Sequence, residues 1–364
     1  MKKILCISPS MNTGGAETFL MKIYRKLNHD EYHFDFCVSS KTPGFYDEEI
    51  RSYGSNIFYV HPKTQSFKEF KRDLKNVLKS DSYDVVYRCG ATGFMAIDLW
   101  VAKKCGVKIR AFRSTNAGTT ENKLRQVFNV LTRRLLTSVC NVKIAPSMLA
   151  AEYTFGKRVA HKKVHVINNG IDTEVYKFSK HNSEEIKRQL NIENKKVFLH
   201  VGRFVEQKNH TFLIDIFAKY LEKHNDAVLV LIGEGPLKEK VCDLVESYGI
   251  QNNVIFLPIT GHVEEYLHAA DVLLLPSLFE GMPNVVVEAQ CSGLPCIVSN
   301  TVTREANIIN LVQFCSINDP KQWVEKMETT CRGSNSELFA QKMKEAGYDI
   351  NDTSKSFIDA LFNN

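Results

Sequence analysis

Residues 271–298 read DVLLLPSLFEGMPNVVVEAQCSGLPCIV, and their order decides the fold. The apolar run Val272–Leu275 has the length of a buried strand and stops at Pro276. A turn follows from Ser277 to Pro283, and a helix is predicted from Asn284. Gly293-Leu294-Pro295 ends that helix and feeds a second strand, Cys296–Ser299. Strand, loop, helix and strand in so short a span make one unit of a parallel sheet. Two carboxylates belong to it, Glu280 in the loop and Glu288 in the helix. Ligands of open α/β sheets bind at the carboxyl ends of strands, where free helix N–H groups can hold a phosphate. Glu280 alone fits a solvated loop residue as well as a ligand contact. Glu288 stands among Val285–Val287 and Ala289, where a charge needs a partner or a ligand hydroxyl.

Upstream, the same unit recurs. Lys196–Val201 is a predicted strand, followed by the turn Gly202-Arg203-Phe-Val-Glu-Gln-Lys208-Asn209 and a helix from about Thr211. An arginine and a lysine five residues apart, ahead of a helix start, suit a diphosphate. Arg203 can fork across two oxygens, and Lys208 supplies a point charge. A surface ion pair is the plainer use of the same two residues. Ala227–Ile232 is a strand ending at Gly233-Glu-Gly235-Pro, and Val254–Leu257 is another, ahead of the loop Pro258–Gly261 that contains Ile259.

The first half alternates likewise. Lys3–Ser8 is a strand, and Gly14-Gly15-Ala-Glu17 opens a helix. That glycine turn matches neither a dinucleotide fingerprint nor a P-loop. Phe34–Val38, Ile57–Val60, Asp84–Arg88, Val107–Phe112, Val142–Ala145 and Val164–Ile167 are further strands. Arg113-Ser-Thr115-Asn116 is expected just beyond one of them. Residues 121–136 space Leu124, Val127, Phe128, Leu131 and Leu135 at helical intervals, with Lys123, Arg125, Arg133 and Arg134 largely between them. Such a helix lies on an anionic membrane or buries its stripe against its own domain. The chain therefore reads as α/β, with two doubly wound, Rossmann-like domains. The expected limits are 1–170 and 171–345, with 346–364 a terminal helix returning to the first domain.

At 364 residues the chain is long enough for two domains, and no apolar run reaches the roughly 20 residues of a membrane span. Lys2-Lys3 precede an apolar run and then a polar turn, so a first strand is expected there in preference to a cleavable leader. Ten cysteines without a C-x-x-C pair fit free thiols in a reducing cytoplasm better than a disulfide or zinc framework. The net charge of +6 conceals an asymmetry: residues 1–168 hold 28 Lys+Arg against 14 Asp+Glu, and the rest hold 19 against 27. A basic first half expects an anionic partner, whether membrane headgroups, a diphosphate-bearing acceptor or nucleic acid. No D-x-D triplet and no His/Asp cluster at metal spacing is present, so no metal is expected.

Glu280-Gly-Met-Pro-Asn-Val-Val-Val-Glu288 resembles the E-x7-E signature of the retaining, nucleotide-sugar-dependent glycosyltransferases of family 4, and the resemblance covers nearly the whole chain. It implies the GT-B fold, with two Rossmann-like domains facing across a cleft, the first on the acceptor side and the second binding the nucleotide sugar. Arg203 and Lys208 match the family's pyrophosphate-binding G-R-x(4)-K-[GN] element, and Glu280 would orient the donor sugar, so these three are the expected catalytic residues. Gly14, Gly15, Gly202, Gly233, Gly235, Ile259, Gly281, Met282, Pro283, Asn284 and Val285 are the expected donor contacts, with Glu288 taking the ribose hydroxyls. Asn169-Gly-Ile-Asp172 matches the family's N-G-[IV]-D turn. Glu17, Arg113, Thr115 and Asn116 are acceptor-side candidates. Arg113 and Thr115 depart from the family, which commonly has histidines there.

The expected activity is retaining transfer from a nucleoside-diphosphate sugar, taken as a UDP-sugar, without metal or other cofactor. The expected acceptor is a lipid-linked or oligosaccharide molecule in the synthesis of a cell-surface polysaccharide, such as a capsule, or a glycolipid. The expected location is the cytoplasm, peripherally on the inner face of the plasma membrane, with no nucleic-acid partner. Three alternatives stay open. One is a catalytically lapsed nucleotide-sugar-binding protein, motivated by Arg113 and Thr115. Another is a nucleotide-sugar epimerase. The third, a glycosidase using the two glutamates as acid and nucleophile, leaves Arg203, Lys208 and the glycine loops unexplained.

Overall fold

The computed structural model describes every residue except 91–92, 116–122, 334–337 and 364, and for 123–129 the backbone alone. It forms two compact units, Met1–Gly170 with Ile350–Asn364, and Ile171–Asp349.

The first unit carries strands β1 (Lys2–Ser8), β2 (Tyr32–Val38), β3 (Ile57–Tyr59), β4 (Val85–Gly90), β5 (Ile109–Ser114), β6 (Val142–Ala145) and β7 (His165–Val166). They form one sheet in the order β3-β2-β1-β4-β5-β6-β7, with parallel pairing throughout. Its helices are α1 (Gly15–Tyr24), α2 (Asp47–Ser52), α3 (Phe67–Ser80), α4 (Ala96–Lys104), α5 (Lys123–Val139), α6 (Met148–Phe155) and α7 (Lys157–Lys163). Side chains of β1 alternate between two cores: Ile4 and Cys6 join Phe19 and Tyr24 of α1, while Leu5 and Ile7 join Phe70 and Leu74 of α3. A strand covered on both faces reads as continuous apolar sequence, as β1 does.

The second unit carries β8 (Lys196–Val201), β9 (Ala227–Ile232), β10 (Val254–Leu257), β11 (Val272–Leu275), β12 (Cys296–Ser299) and β13 (Val312–Cys315), in the order β10-β9-β8-β11-β12-β13. All of these pairs are parallel too. Its helices are α8 (Lys180–Gln189), α9 (His210–Leu221), α10 (Lys238–Ser247), α11 (Val263–Ala269), α12 (Asn284–Cys291), α13 (Pro320–Thr329) and α14 (Leu338–Glu345). Helix α12 is buried from Val285 to Cys291, a helix enclosed on every side, which explains its lack of a polar face.

The last helix, α15 (Ile350–Phe362), belongs to the first unit. Ile350, Phe357, Ile358 and Leu361 fall on one stripe and join the core of α1 and β1. Phe357 meets Phe19 edge-on at 6.3 Å and Tyr87 at 5.2 Å. The second unit accordingly runs to Asp349, whose carboxylate accepts from Thr173 Oγ1 at 2.6 Å.

One reading shifts. The strand expected at Val107–Phe112 lies at Ile109–Ser114, because Val107 N still bonds Ala102 O to close α4. Arg113 therefore sits inside a strand. After the strand Val142–Ala145 the chain opens α6, where Ser147 Oγ accepts from Ala150 N as a cap.

Candidate active site

In the second sheet the chain winds outward from β8 through β9 to β10 and then returns to lay β11 on the other side of β8. The switch point is therefore β8/β11, the kind of place where open α/β sheets bind their ligands. The loops there are Gly202–Asn209 and Pro276–Pro283. Leu278 N donates to Gln207 O at 2.8 Å, Gln207 Nε2 to Phe279 O at 2.9 Å, and Asn209 Nδ2 to Pro276 O at 3.3 Å. Asn209 takes the left-handed conformation (φ 56) that asparagine tolerates, turning the chain from a short 3-10 turn into α9.

Between these loops Lys208 Nζ donates to Glu280 Oε1 at 2.6 Å, both side chains being mostly buried. Ser277 Oγ donates to the same oxygen at 3.2 Å. The carbonyl of Ser277 is gripped by Ser299 Oγ at 2.5 Å and Thr301 Oγ1 at 2.9 Å, so the carboxylate stands on a braced loop. Arg203 is exposed and makes no ion pair among the described residues. Sequence reasoning chose Lys208 and Glu280 separately and missed both their contact and the part of Ser277. Nothing local announces a contact across 72 positions.

Gly233 and Gly235 follow β9 and lie against the Gly202 turn. A Cβ on Gly233 would stand 2.1 Å from Gly202 O, and one on Gly235 would stand 2.6 Å from Phe204 O. Both have positive φ, 152 and 157, which L side chains rarely adopt. Gly202 N donates to Ile232 O and Gly233 N to Leu257 O, so the loops after β8, β9 and β10 are tied edge to edge. Ile259, beyond β10, is exposed. Gly281, Met282, Pro283 and Asn284 lead into α12, with Pro283 at its N-cap and Val285 in its first turn.

Glu288 is only 7% exposed and faces inward. It lies against the Tyr176 hydroxyl, whose pKa is raised well above the ordinary value, by burial first and then by the Glu288 charge. That phenol stays protonated and remains a donor. Among the described residues one group has metal-ligand spacing: His262, Glu264 and Glu265, at the start of α11, place their ligand atoms within 4.8 Å of one another. The sequence reading passed over it. His262 is exposed, and its Nδ1 contacts Glu264 Oε1 at 3.2 Å.

In the first unit Gly14, Gly15 and Glu17 follow β1, next to its switch point with β4. Glu17 Oε1 accepts from Ser8 Oγ at 2.8 Å, and a Cβ on Gly14 would stand 2.3 Å from Glu17 Oε2. The carboxylate thus folds over the start of its own helix, a favourable end for a negative charge. Arg113 is 2% exposed, its guanidinium 3.5 Å from the centre of the Phe19 ring and bonded to Asn169 Oδ1 at 2.5 Å. Here it braces β5 against α1 and is turned away from solvent. Thr115 is half-buried, and its N donates to Gly90 O at 3.2 Å. Asn116 lies outside the described residues.

Comparison with known proteins accords with these two sheets and their loops. Residues 13–175 match the model of Glycosyltransferase Family 4, and residues 182–349 match that of Glycosyl transferases group 1. EpsF of Bacillus subtilis, a protein assigned to the glycosyltransferases, is 32% identical over 360 residues, covering 96% of this chain and 93% of EpsF. An Escherichia coli UDP-Gal:alpha-D-GlcNAc-diphosphoundecaprenol alpha-1,3-galactosyltransferase is 37% identical over 316 residues, 79% of this chain and 76% of that protein. The crystal structure of Anabaena HepE with UDP-glucose superposes with a TM-score of 0.80 over both whole chains at 17% identity, which is a likeness of fold. The chain belongs to the GT-B glycosyltransferases related to bacterial polysaccharide-biosynthesis enzymes.

Proposed function

We propose that this enzyme is a retaining family 4 transferase that moves a sugar from a UDP-sugar to a lipid-linked or saccharide acceptor in cell-surface polysaccharide or glycolipid synthesis. The observation that carries the reading is the pair of stitched loops at β8/β11, which sets Lys208 against Glu280 with Arg203 exposed on the same turn. The donor's diphosphate draws Lys208 off Glu280 and takes Arg203 as a fork. Glu280 is then released to accept from the sugar hydroxyls. As the glycosidic bond breaks, charge grows on the departing phosphate, and fixed cations favour that state over the ground state. Same-face attack lets the leaving phosphate take the acceptor's proton, so no protein nucleophile is required. Glu288, held by Tyr176, takes the vicinal ribose hydroxyls, and backbone around Ile259 reads the base.

The UDP and the lipid-linked diphosphate acceptor are favoured by the name of the Escherichia coli relative. Glu17, Arg113 and Thr115 are proposed for the acceptor side. For Arg113 this requires the guanidinium to leave Phe19. A membrane contact of the first unit is proposed on α5 and α7. Leu131 is 71% exposed and Leu135 is exposed as well, so at these two positions the stripe is not buried against its own domain, and Val130 beside them is also exposed. The side chains of Lys123, Leu124, Arg125, Val127 and Phe128 lie outside the described residues. Exposed Arg134, Lys157, Arg158, Lys162 and Lys163 add positive charge nearby in sequence. No described helix is long and apolar enough to cross a membrane.

The deciding experiment incubates the enzyme with UDP-sugars and an undecaprenyl-diphosphate-linked sugar and reads the anomeric configuration of the product by NMR. An inverted product removes the retaining mechanism. Donor binding without transfer to any acceptor favours the lapsed-enzyme reading, and a changed sugar without acceptor favours the epimerase.

A further inference from the structure

Beneath the Gly202 turn lie two histidines that the reading above does not use. His200, in β8, is wholly buried, and its Nδ1 lies 2.8 Å from Leu274 O of β11. A carbonyl can only accept, so Nδ1 carries the hydrogen. The neutral ring therefore presents a bare lone pair at Nε2. That nitrogen has no hydrogen-bond partner among the described residues, and it lies 3.2 Å from where a Cβ on Gly202 would stand, beside the Lys208 stem. His210 begins α9. It is buried, both ring nitrogens lack a partner among the described residues, and its centroid is 4.7 Å from that of His200 with its ring stacked on Phe204 at 4.2 Å.

Three unpaired nitrogens in one buried pair are costly, because a buried polar atom without a partner loses its hydration for nothing. The charged group facing the pair is Lys208, from the loop; β11 offers a carbonyl and α9 offers His210 itself. No carboxylate is among the charges acting on either ring, and Glu280 is engaged with Lys208. Burial and Lys208 both disfavour a positive charge here, so the pair is neutral in the ligand-free protein. A diphosphate over Gly202 reverses that balance by adding negative charge where the glycine leaves no side chain in between.

Resting on the proposed seat of the diphosphate at this loop, we infer that the His200–His210 pair takes up one proton when a nucleoside diphosphate binds. The proton comes from solvent, and a new N–H bond forms on a ring lone pair, with Nε2 of His200 aimed at the Gly202 turn. The pair thereby becomes a third cation under the phosphates, present only when they are. These two are positioning residues: they act on the diphosphate through the loop and Lys208.

The test is calorimetric titration of the full chain with UDP, in buffers of differing ionisation heat, between about pH 5.5 and 7. The ligand's own proton changes are common to all variants, so the difference between proteins belongs to the pair. Wild type is expected to take up more protons per UDP than His210→Phe, which keeps the stack on Phe204, and than His200→Asn, which keeps a donor for Leu274 O. The difference rises to about one proton as pH falls, and wild-type affinity for UDP tightens by up to about tenfold per pH unit relative to the variants. Thermal melting establishes that the variants fold. If neither does, nitrogen NMR of the wild-type imidazoles with and without UDP gives the same answer. Equal proton uptake in wild type and variants, or rings that stay neutral with UDP bound, would overturn the inference and leave the diphosphate site standing. If UDP, GDP and ADP all fail to bind, the parent reading falls and takes this one with it.

Discussion

Lys208 and Glu280 form an ion pair at 2.6 Å between the loops that follow β8 and β11. Each is the other's counter-charge, so a mostly buried cation does not stand unpaired; on the proposed mechanism the donor's diphosphate takes the carboxylate's place.

Glu280→Gln separates the two roles. Lys208 is released for phosphate, so UDP binds as tightly as to wild type or more so, while transfer falls about 10²-fold because the sugar is no longer oriented. Calorimetry with UDP beside kcat for transfer checks this. Parallel losses in both would mean that Glu280 only shapes the loop.

Arg203→Lys keeps the charge and removes the fork. On the proposed mechanism it lowers kcat/KM about 10- to 100-fold, and Lys208→Met lowers it about 10²- to 10³-fold. Steady-state kinetics at two ionic strengths measures both. Unchanged kinetics in Arg203→Lys would remove that residue from the diphosphate seat.

Gly233→Ala would force a Cβ within 2.1 Å of Gly202 O at a φ that alanine rarely adopts. The two loops separate, at a cost of about 1–3 kcal/mol in the second unit, with weaker UDP binding. Denaturant melts and UDP titration report the two effects.

Stability carries a pH signature from His210, whose pKa is pushed down to about 4 by burial and then by Lys208. The unfolded imidazole titrates near 6.5 and binds protons that the folded one refuses. Its contribution is thus fully present above about pH 6.5 and is lost as pH falls toward 4, by about 3 kcal/mol in all. His200 acts in the same direction. Urea melts between pH 4 and 7 should steepen in wild type and flatten in His210→Phe.

For the membrane contact, the double change Leu131→Gln with Arg134→Gln removes one exposed apolar group and one charge. It should lower sedimentation with anionic vesicles about tenfold or more, whereas Arg134→Gln alone should leave neutral vesicles unaffected. Equal, negligible binding of wild type to both kinds of vesicle would dispose of the contact itself.

The sequence by itself determined the strand and loop order. Lys196–Val201, Ala227–Ile232, Val254–Leu257, Val272–Leu275 and Cys296–Ser299 lie where their apolar runs and glycine stops predict. Those signals are local: a run of β-branched and aliphatic residues, a proline, a glycine, each acting within a few positions. The E-x7-E spacing and the Arg203–Lys208 turn were legible for the same reason. Only the tertiary structure decided that β8 and β11 are neighbours, and hence that Lys208 meets Glu280 across 72 positions. It likewise turned Arg113 inward under Phe19, set Gly233 against Gly202 O, and placed His200 and His210 together beside the Gly202 turn. Such pairings follow from strand order and close packing, which depend on the whole sheet at once and leave no periodicity in any one segment.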